Sequence, residues 1–263
     1  MTSPGSGYIH GGTDAREVAR LEKQSHLTAT HSLARFDAAP GMRVLDLATG
    51  VGAMAGQLLR RYPGIQLVGV DLDPRQLAEA KARHPGATYV QADAARLPFP
   101  DARFERVHCS WLLEHVPHPV EVLREVRRVL APAGVCHFIE VDNATLRTHP
   151  PCPAVQAMLA AQNRAQVASG GDPFIGPKLP GYFREAGFTQ VDIGPAPIHG
   201  DAADPGWFRL FVEEFAEIFE SLDEALGTEA TPRLHAAAAE LRALLDTPGA
   251  SLDYVPWIAR GFR

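Results

Sequence analysis

The sequence predicts an α/β fold in which a mostly parallel sheet carries helices on both faces. Three observations support this fold class. Short apolar runs that suit buried strands alternate with segments of helical spacing, the first such run leads directly into a glycine-rich loop, and the 263 residues are 46% hydrophobic, enough for a substantial core. Ligands of such a sheet bind at the carboxyl ends of its strands.

The first predicted element is a helical cap over residues 1–36. The stretch "DARE", residues 14–17, has the pattern of a capping box, with Asp14 as N-cap and Glu17 three positions later. Apolar residues then recur loosely at helical spacing: Val18, Leu21, Leu27 and Phe36.

Strands and helices alternate from residue 43 onward. The predicted strands are 43–48, "IQLVGVD", "ATYVQAD", "FERVHCS" and "GVCHFIEV". The predicted helices are 52–62, a segment that begins at Asp73-Pro74, and "PVEVLREVRRVL". This order favours a parallel sheet with connections across both faces.

The pattern changes after residue 142. A proline-rich loop, "THPPCPAV", leads to a helix, "YFREAGF" ends another, and "TQVDIG" is a further strand. Residues 201–249 are expected to be helical, with Thr231 as an N-cap and a stop at Pro248-Gly249. Because "LDYVPWIARGF" alternates like one last strand, residues 201–249 become a helical lid inserted into a core of 37–200 and 250–263.

Composition limits the partners of the chain. A net charge of -6 argues against nucleic acid, which requires clustered Lys and Arg. The three cysteines lack C-x-x-C spacing, so neither a disulfide framework nor a metal site is expected. With no signal-peptide pattern and no long apolar run, we expect a cytoplasmic monomer or homodimer without a membrane span that acts on a small molecule.

The glycine loop predicts a nucleoside cofactor. Residues 50–55 fit the G-x-G-x-x-A pattern, and Asp71 follows about 20 residues later, where an acid bonds ribose hydroxyls. This pattern alone fits either a nicotinamide or an adenosyl cofactor. The chain has no Tyr-x-x-x-Lys pair for hydride transfer, whereas Asp46 in the first strand and Asp93 after the third favour a ligand with an adenine amine.

Together these features resemble the class I S-adenosylmethionine-dependent methyltransferases, in the small-molecule branch similar to the ubiquinone and menaquinone methyltransferases. The resemblance spans about residues 8 to 194. It rests on "VLDLATGVG", "GVDLDP", "QADAARLPFPDARFERVHCSWLLEHV" and "LREVRRVLAPAG", in that order. It implies a Rossmann-like doubly wound sheet of six parallel strands plus one antiparallel strand, S-adenosylmethionine as cofactor and S-adenosylhomocysteine as product.

The resemblance also implies a set of cofactor contacts. Asp71 would hold the ribose, Leu72 would pack on adenine, Asp93 with the Ala94 amide would bind the adenine edge, and Ser110 would close the site. The remaining contacts, most of them to the methionine moiety, are Tyr8, Gln24, Asp46, Ala48, Thr49, Gly50 and Gly52. Ala48 stands where many members have glycine.

Candidate catalytic residues follow the fourth and fifth strands. His115 in "WLLEHV" is the first choice for a general base, although packing of the next helix explains it equally well. Glu140 and Asp142 are second choices. His10 in "YIHGG" lies in a segment suited to a flap over the cofactor.

An aromatic stripe suggests the acceptor. Phe208, Phe211, Phe215 and Phe219 share one helix face beside Trp207. Such a stripe is usually core, but in a lid it would wall an apolar pocket. We therefore expect methyl transfer to O, N or C of a small hydrophobic metabolite in bacterial secondary metabolism. The alternatives are a cyclase or pericyclase that binds the same cofactor without transferring methyl and, less favoured, a nicotinamide-dependent reductase.

Overall fold

A computed structural model describes residues 15–263 and contains a seven-stranded sheet flanked by helices. The strands are β1 Arg43–Leu47, β2 Gln66–Asp71, β3 Thr88–Gln91, β4 Phe104–Ser110, β5 Leu130–Glu140, β6 Arg147–His149, β7 Gln190–Pro195, β8 Ile198–Asp201, β9 Ser251–Tyr254 and β10 Trp257–Phe262. The helices are α1 Ala15–Ser32, α2 Ala53–Arg61, α3 Pro74–Arg83, α4 Pro119–Val129, α5 Pro153–Ala168, α6 Leu179–Glu185, α7 Pro205–Glu220, α8 Asp223–Leu226 and α9 Thr231–Ala243.

The large sheet has the strand order β3-β2-β1-β4-β5-β10-β7. The pairs from β3 to β5 are parallel, and β10 runs antiparallel to both of its neighbours, β5 and β7. The prediction of an α/β fold with six parallel strands and one antiparallel strand is therefore confirmed. The order reverses between β1 and β4, which is where ligands of doubly wound sheets bind.

One strand prediction was wrong. The segment "LDYVPWIARGF" forms two strands, β9 and β10, separated by Val255-Pro256. A proline cannot donate to a strand ladder, and the chain changes sheets at this point. β9 belongs to a second, three-stranded antiparallel sheet of order β6-β9-β8. Its strands are only three or four residues long, and β6 and β8 were not predicted.

The predicted lid segment is mostly but not entirely helical. Asp201 ends strand β8, and α7 begins only at Pro205. The Asp204 side chain caps α7 by accepting the Trp207 N–H at 3.0 Å. Thr231 is the first residue of α9 rather than its N-cap, which is Ala230.

The cap helix α1 packs against α7. Arg16 pairs with Glu220 at 2.8 Å near the start of α1, and the His31 ring lies 6.2 Å from Trp207 near its end, so the two helices run antiparallel. Glu17 pairs with Arg20 in this seam, whereas its proposed capping partner Asp14 lies outside the described residues. Within residues 15–263, no helix is both long and apolar enough to cross a bilayer.

Candidate active site

The glycine loop between β1 and α2 is held tightly against α3. Gly50 and Gly52 both have positive φ, +56° and +81°. A Cβ atom on Gly52 would lie 3.0 Å from the Ala80 Cβ, and one on Gly50 would lie 3.0 Å from the Gln76 side-chain oxygen. Both positions therefore favour glycine for their backbone conformation, and Gly52 also for space, since the Ala80 backbone lies against it.

Ala48 adopts the same left-handed conformation without being glycine. Its φ is +55°, directly after β1, and its side chain is half-buried. A Cβ in this region crowds the following carbonyl oxygen at a cost of about 1 to 2 kcal/mol. The departure from the glycine of many family members thus places backbone strain at the start of the loop.

Asp71, at the end of β2, connects the loop to the second strand. Its Oδ2 accepts the Gly50 N–H and its Oδ1 accepts the Asp73 N–H, both at 2.9 Å. Burial raises its pKa, although these bonds favour the charged form. Each carboxylate oxygen retains a lone pair, so two ribose hydroxyls can still be accommodated. Leu72 follows with 38% of its surface exposed, unusual for a leucine and suited to covering adenine.

The other predicted adenosine contacts lie at neighbouring strand ends. The Asp93 carboxylate accepts the Ala95 N–H at 2.8 Å and so closes the turn after β3, with Ala94 partly buried between them. Ser110 ends β4, with its hydroxyl 3.3 Å from His108 Nε2. The sheet thus brings Asp71, Asp93 and Ser110 to one edge, as predicted for the carboxyl ends of parallel strands.

Asp46 is engaged inside the protein. It is buried, accepts the Thr49 hydroxyl at 2.6 Å, and lies 3.1 Å from Nδ1 of His108, its register partner on β4. The other ring nitrogen of His108 lies 3.4 Å from the Ser32 hydroxyl on α1. Sequence reasoning missed His108; alignment of β1 with β4 was the signal that could have found it. The chain of polar contacts connects the cap helix to the cofactor loop.

A cavity that is open to solvent lies beside this edge of the sheet. Its walls come from α1, the segments after β4 and β5, α5, α7 and the second sheet. The apolar wall includes Trp111, Leu159, Trp207, Phe211, Phe215 and Ile218. Gln24 from α1 also lines it, so the predicted contact to the methionine end of the cofactor lies at the border of this cavity.

The aromatic stripe of α7 divides between the two roles considered for it. Phe208 and Phe219 are buried in the hydrophobic core and do not line the cavity. Phe211 and Phe215 do line it, and the Phe215 ring packs edge-on against Tyr254 of β9 at 5.2 Å. Phe211 is itself only 3% exposed and belongs to the core, so three of the four phenylalanines are core, and Phe215 is the half-buried one that serves chiefly as a wall.

His115 lines the cavity at the end of a short 3-10 turn, Leu113–His115, after β4. Its Nε2 lies 3.6 Å from Glu114 Oε1. Nearby, Trp111 also lines the cavity with φ +56°, and its ring N–H donates to the Thr28 hydroxyl on α1 at 3.3 Å. A bulky residue in the left-handed region marks a site whose backbone is held in place by its surroundings.

The second-choice bases have structural contacts instead. Glu140 is fully buried and accepts the N–H groups of Leu112, Leu113 and Glu114 at 3.2, 2.9 and 3.3 Å, so it anchors the turn that carries His115. Burial, together with the nearby Glu114 charge, raises the pKa of Glu140 to about 8.

Asp142 accepts the Ala144 N–H at 3.3 Å and is not among the residues that line the cavity. Tyr8 and His10 lie outside the described residues.

The strand order and the loop after β1 give the chain the fold of the class I methyltransferases. Residues 45–138 match the family model described as a methyltransferase domain. The chain is 34% identical over 168 residues to trans-aconitate 2-methyltransferase of Methylobacterium nodulans, a match that covers 59% of this chain and 63% of the relative. It is 35% identical to the ubiquinone/menaquinone biosynthesis C-methyltransferase UbiE of Desulfotalea psychrophila, over 57% of this chain and 66% of the relative. The chain thus matches just under two thirds of the length of these relatives.

Solved structures share the fold at low identity. The [4+2]-cyclase SpnF is 19% identical with a TM-score of 0.54, over 97% of this chain and 87% of that one. A Haemonchus contortus phosphoethanolamine N-methyltransferase 2 in complex with S-adenosyl-L-methionine is 18% identical with a TM-score of 0.57, over 90% of this chain and 52% of that one. These likenesses concern the fold alone.

Proposed function

We propose that the protein transfers the methyl group of S-adenosylmethionine to an O, N or C atom of a small hydrophobic acceptor held under α7. The observation that carries the proposal is the open cavity beside the carboxyl ends of β4 and β5, whose apolar wall includes Trp207, Phe211 and Phe215. Apolar pockets with a few polar groups are typical of small-molecule sites.

The residues at the strand ends fit the cofactor. Asp71 has lone pairs for ribose hydroxyls, Leu72 offers an exposed apolar face, and the loop from Ala48 to Gly52 lets backbone groups approach closely. In this proposal Gln24, which lines the cavity from α1, contacts the methionine moiety. When bound, the cofactor supplies a methyl group on a sulfonium, which is already a strong electrophile.

The chain then has to align the acceptor, exclude water and, for some acceptors, remove a proton. In this proposal Trp207, Phe211 and Phe215 orient an apolar acceptor and keep water out. His115 takes the proton of a hydroxyl or ammonium nucleophile, and Glu114 at 3.6 Å orients its ring.

The test is formation of S-adenosylhomocysteine, followed by mass spectrometry, with a panel of apolar acceptors bearing hydroxyl, amine or activated carbon. His115→Asn should lower kcat for hydroxyl and ammonium acceptors about 100-fold or more, with S-adenosylhomocysteine affinity within about threefold of the wild type. His26→Gln, an exposed position on α1, is the matched control. An unchanged kcat in His115→Asn would show that this histidine only packs the turn.

A cyclase that keeps the cofactor intact is the second candidate, because the likeness to SpnF spans nearly the whole chain. Acceptor turnover without S-adenosylhomocysteine would favour it over methyl transfer. The genes that flank this one would test the assignment to bacterial secondary metabolism.

A further inference from the structure

A buried group of three charges lies between α1 and α7, beside the cavity. Arg20 donates two hydrogen bonds to Glu17, from Nε at 2.8 Å and Nη2 at 2.7 Å. Its third contact, from Nη1 to Glu214 Oε1, is longer at 3.4 Å. The three side chains are 4%, 2% and 5% exposed, in the order Arg20, Glu17 and Glu214. The guanidinium charge is therefore matched chiefly by Glu17, and Glu214 has only a weak share of it.

The second oxygen of Glu214 has no hydrogen-bond donor among the residues that the structure describes. Within residues 15–263, Oε2 of Glu214 accepts no hydrogen bond although it is buried. Burial raises the pKa of Glu214 to about 7, far above that of a solvated glutamate. A buried carboxylate oxygen without a donor is unfavourable, and a ligand that supplies a donor would remove that cost.

Glu214 lines the acceptor cavity, and its surroundings favour a cation. Phe211 and Phe215 flank it on the same helix and line the same cavity. Glu114 is a second lining carboxylate, one oxygen of which already accepts the Gln166 side chain at 2.6 Å. Arg20 is the lining cation, and Glu17 neutralises it. A carboxylate among aromatic rings suits an ammonium group, which gains both a charge-assisted hydrogen bond and cation–π contacts.

We propose that Glu214 determines the acceptor specificity of this cavity by binding a protonated amine on an otherwise apolar acceptor. The inference rests on the proposed function, since it takes the cavity as the acceptor site. The ammonium end of the acceptor lies at Glu214, and the atom that receives the methyl group lies toward His115.

Two probes with the same carbon skeleton test the proposal. The protein is saturated with S-adenosylhomocysteine, and 2-phenylethylamine, which is cationic at pH 7, and 2-phenylethanol, which is neutral, are titrated by calorimetry. In the wild type the amine should bind at least about tenfold more tightly than the alcohol, because only the cation meets both the carboxylate and the rings.

Two matched variants locate that preference. Glu214→Gln should reduce it to within about threefold. Glu213→Gln should retain it, because Glu213 pairs with Arg242 of α9 at 2.9 Å and does not line the cavity.

A wild-type measurement keeps the test independent of how well the variants fold. Near pH 7, amine binding should release protons as Glu214 ionises, so the binding enthalpy should depend on the ionisation enthalpy of the buffer, and alcohol binding should not. The other charged groups around Glu214 are Glu17, Arg20, Lys23 and Glu217. This release should be absent in Glu214→Gln.

Three results would overturn the proposal: equal affinity for amine and alcohol in the wild type, no binding of either probe at millimolar concentration, or an amine preference that survives Glu214→Gln. Failure of the proposed function is distinguishable, because it appears in the turnover assay as a wild-type protein that forms no S-adenosylhomocysteine from S-adenosylmethionine with any acceptor, whereas the two probes report binding alone.

Discussion

Ala48→Gly should make the protein more stable, the reverse of the usual effect of an alanine-to-glycine change. At φ +55° an alanine costs about 1 to 2 kcal/mol, whereas glycine adopts this conformation freely but adds about 0.5 to 1 kcal/mol of unfolded-state entropy. The difference is a gain of about 0 to 1.5 kcal/mol, with a central value of about 0.75 kcal/mol. In a chain of this length that raises Tm by about 1 to 4 °C in scanning calorimetry.

Two other alanines provide the controls. Ala133, exposed near the start of β5 with φ +60°, should respond to glycine in the same direction as Ala48. Ala55, fully buried within α2, should lose about 1 kcal/mol or more. If Ala48→Gly lowers Tm as Ala55→Gly does, the strain argument is wrong. The Ala48→Gly protein should still bind S-adenosylhomocysteine.

Three further changes separate cofactor, acceptor and folding effects. Asp71→Ala should weaken S-adenosylhomocysteine binding by about 1 to 3 kcal/mol in calorimetry, because ribose and the Gly50 N–H lose their acceptor. Phe215→Ala should raise the KM for the acceptor in steady-state assays with little change in cofactor affinity, whereas Phe219→Ala should lower stability by about 3 to 5 kcal/mol in denaturant titrations because it empties core space. Glu140 holds its proton more tightly folded than unfolded, so its contribution to stability is lost as pH rises from about 4.5 to about 8. The Tm of Glu140→Gln should therefore fall less than the Tm of the wild type as pH rises across that range.

Matched changes at other carboxylates make these outcomes interpretable. Asp101→Asn, at an exposed residue bound to Arg128, should leave cofactor affinity unchanged. Glu105, whose pKa is lowered by Arg43, titrates below that pH range, so Glu105→Gln should keep the wild-type slope of Tm against pH. The ribose assignment is wrong if Asp71→Ala binds the cofactor normally. The wall assignment is wrong if Phe215→Ala loses cofactor and acceptor binding together. The pH argument is wrong if Glu140→Gln keeps the wild-type slope of Tm against pH.

The cofactor-binding part of the candidate site was predictable because the residues that indicate it are close together in the sequence. The strand, the glycines at 50 and 52 and the acid at 71 lie within one βαβ unit, where spacing along the chain translates directly into position in space. The conformation of Ala48 was not foreseen, since a small side chain there does not reveal the sign of φ.

The cavity proposed for the acceptor was harder to predict, because it is formed by contacts between segments that are distant in the sequence. Strand β9 pairs with β6 and β8, and each pairing involves only three or four residues, too few for an alternating pattern to mark β6 and β8 as strands. Arg20 and Glu214 look like solvated helix positions in sequence, and only the packing of α1 on α7 buries them together. The aromatic stripe likewise needed the tertiary structure to separate Phe219 from Phe215.

The pairing of β7 with β10 makes the whole lid segment one long hairpin loop. Pro195, the last residue of β7, stands directly opposite Trp257, the first of β10, and everything between them returns to that point. Closing a loop costs only about 0.6 kcal/mol more for each doubling of its length. The segment between β7 and β10 can therefore change in length or sequence with little loss of sheet stability. Under the proposed function, such changes would alter which acceptor is bound while the cofactor-binding strands stay the same.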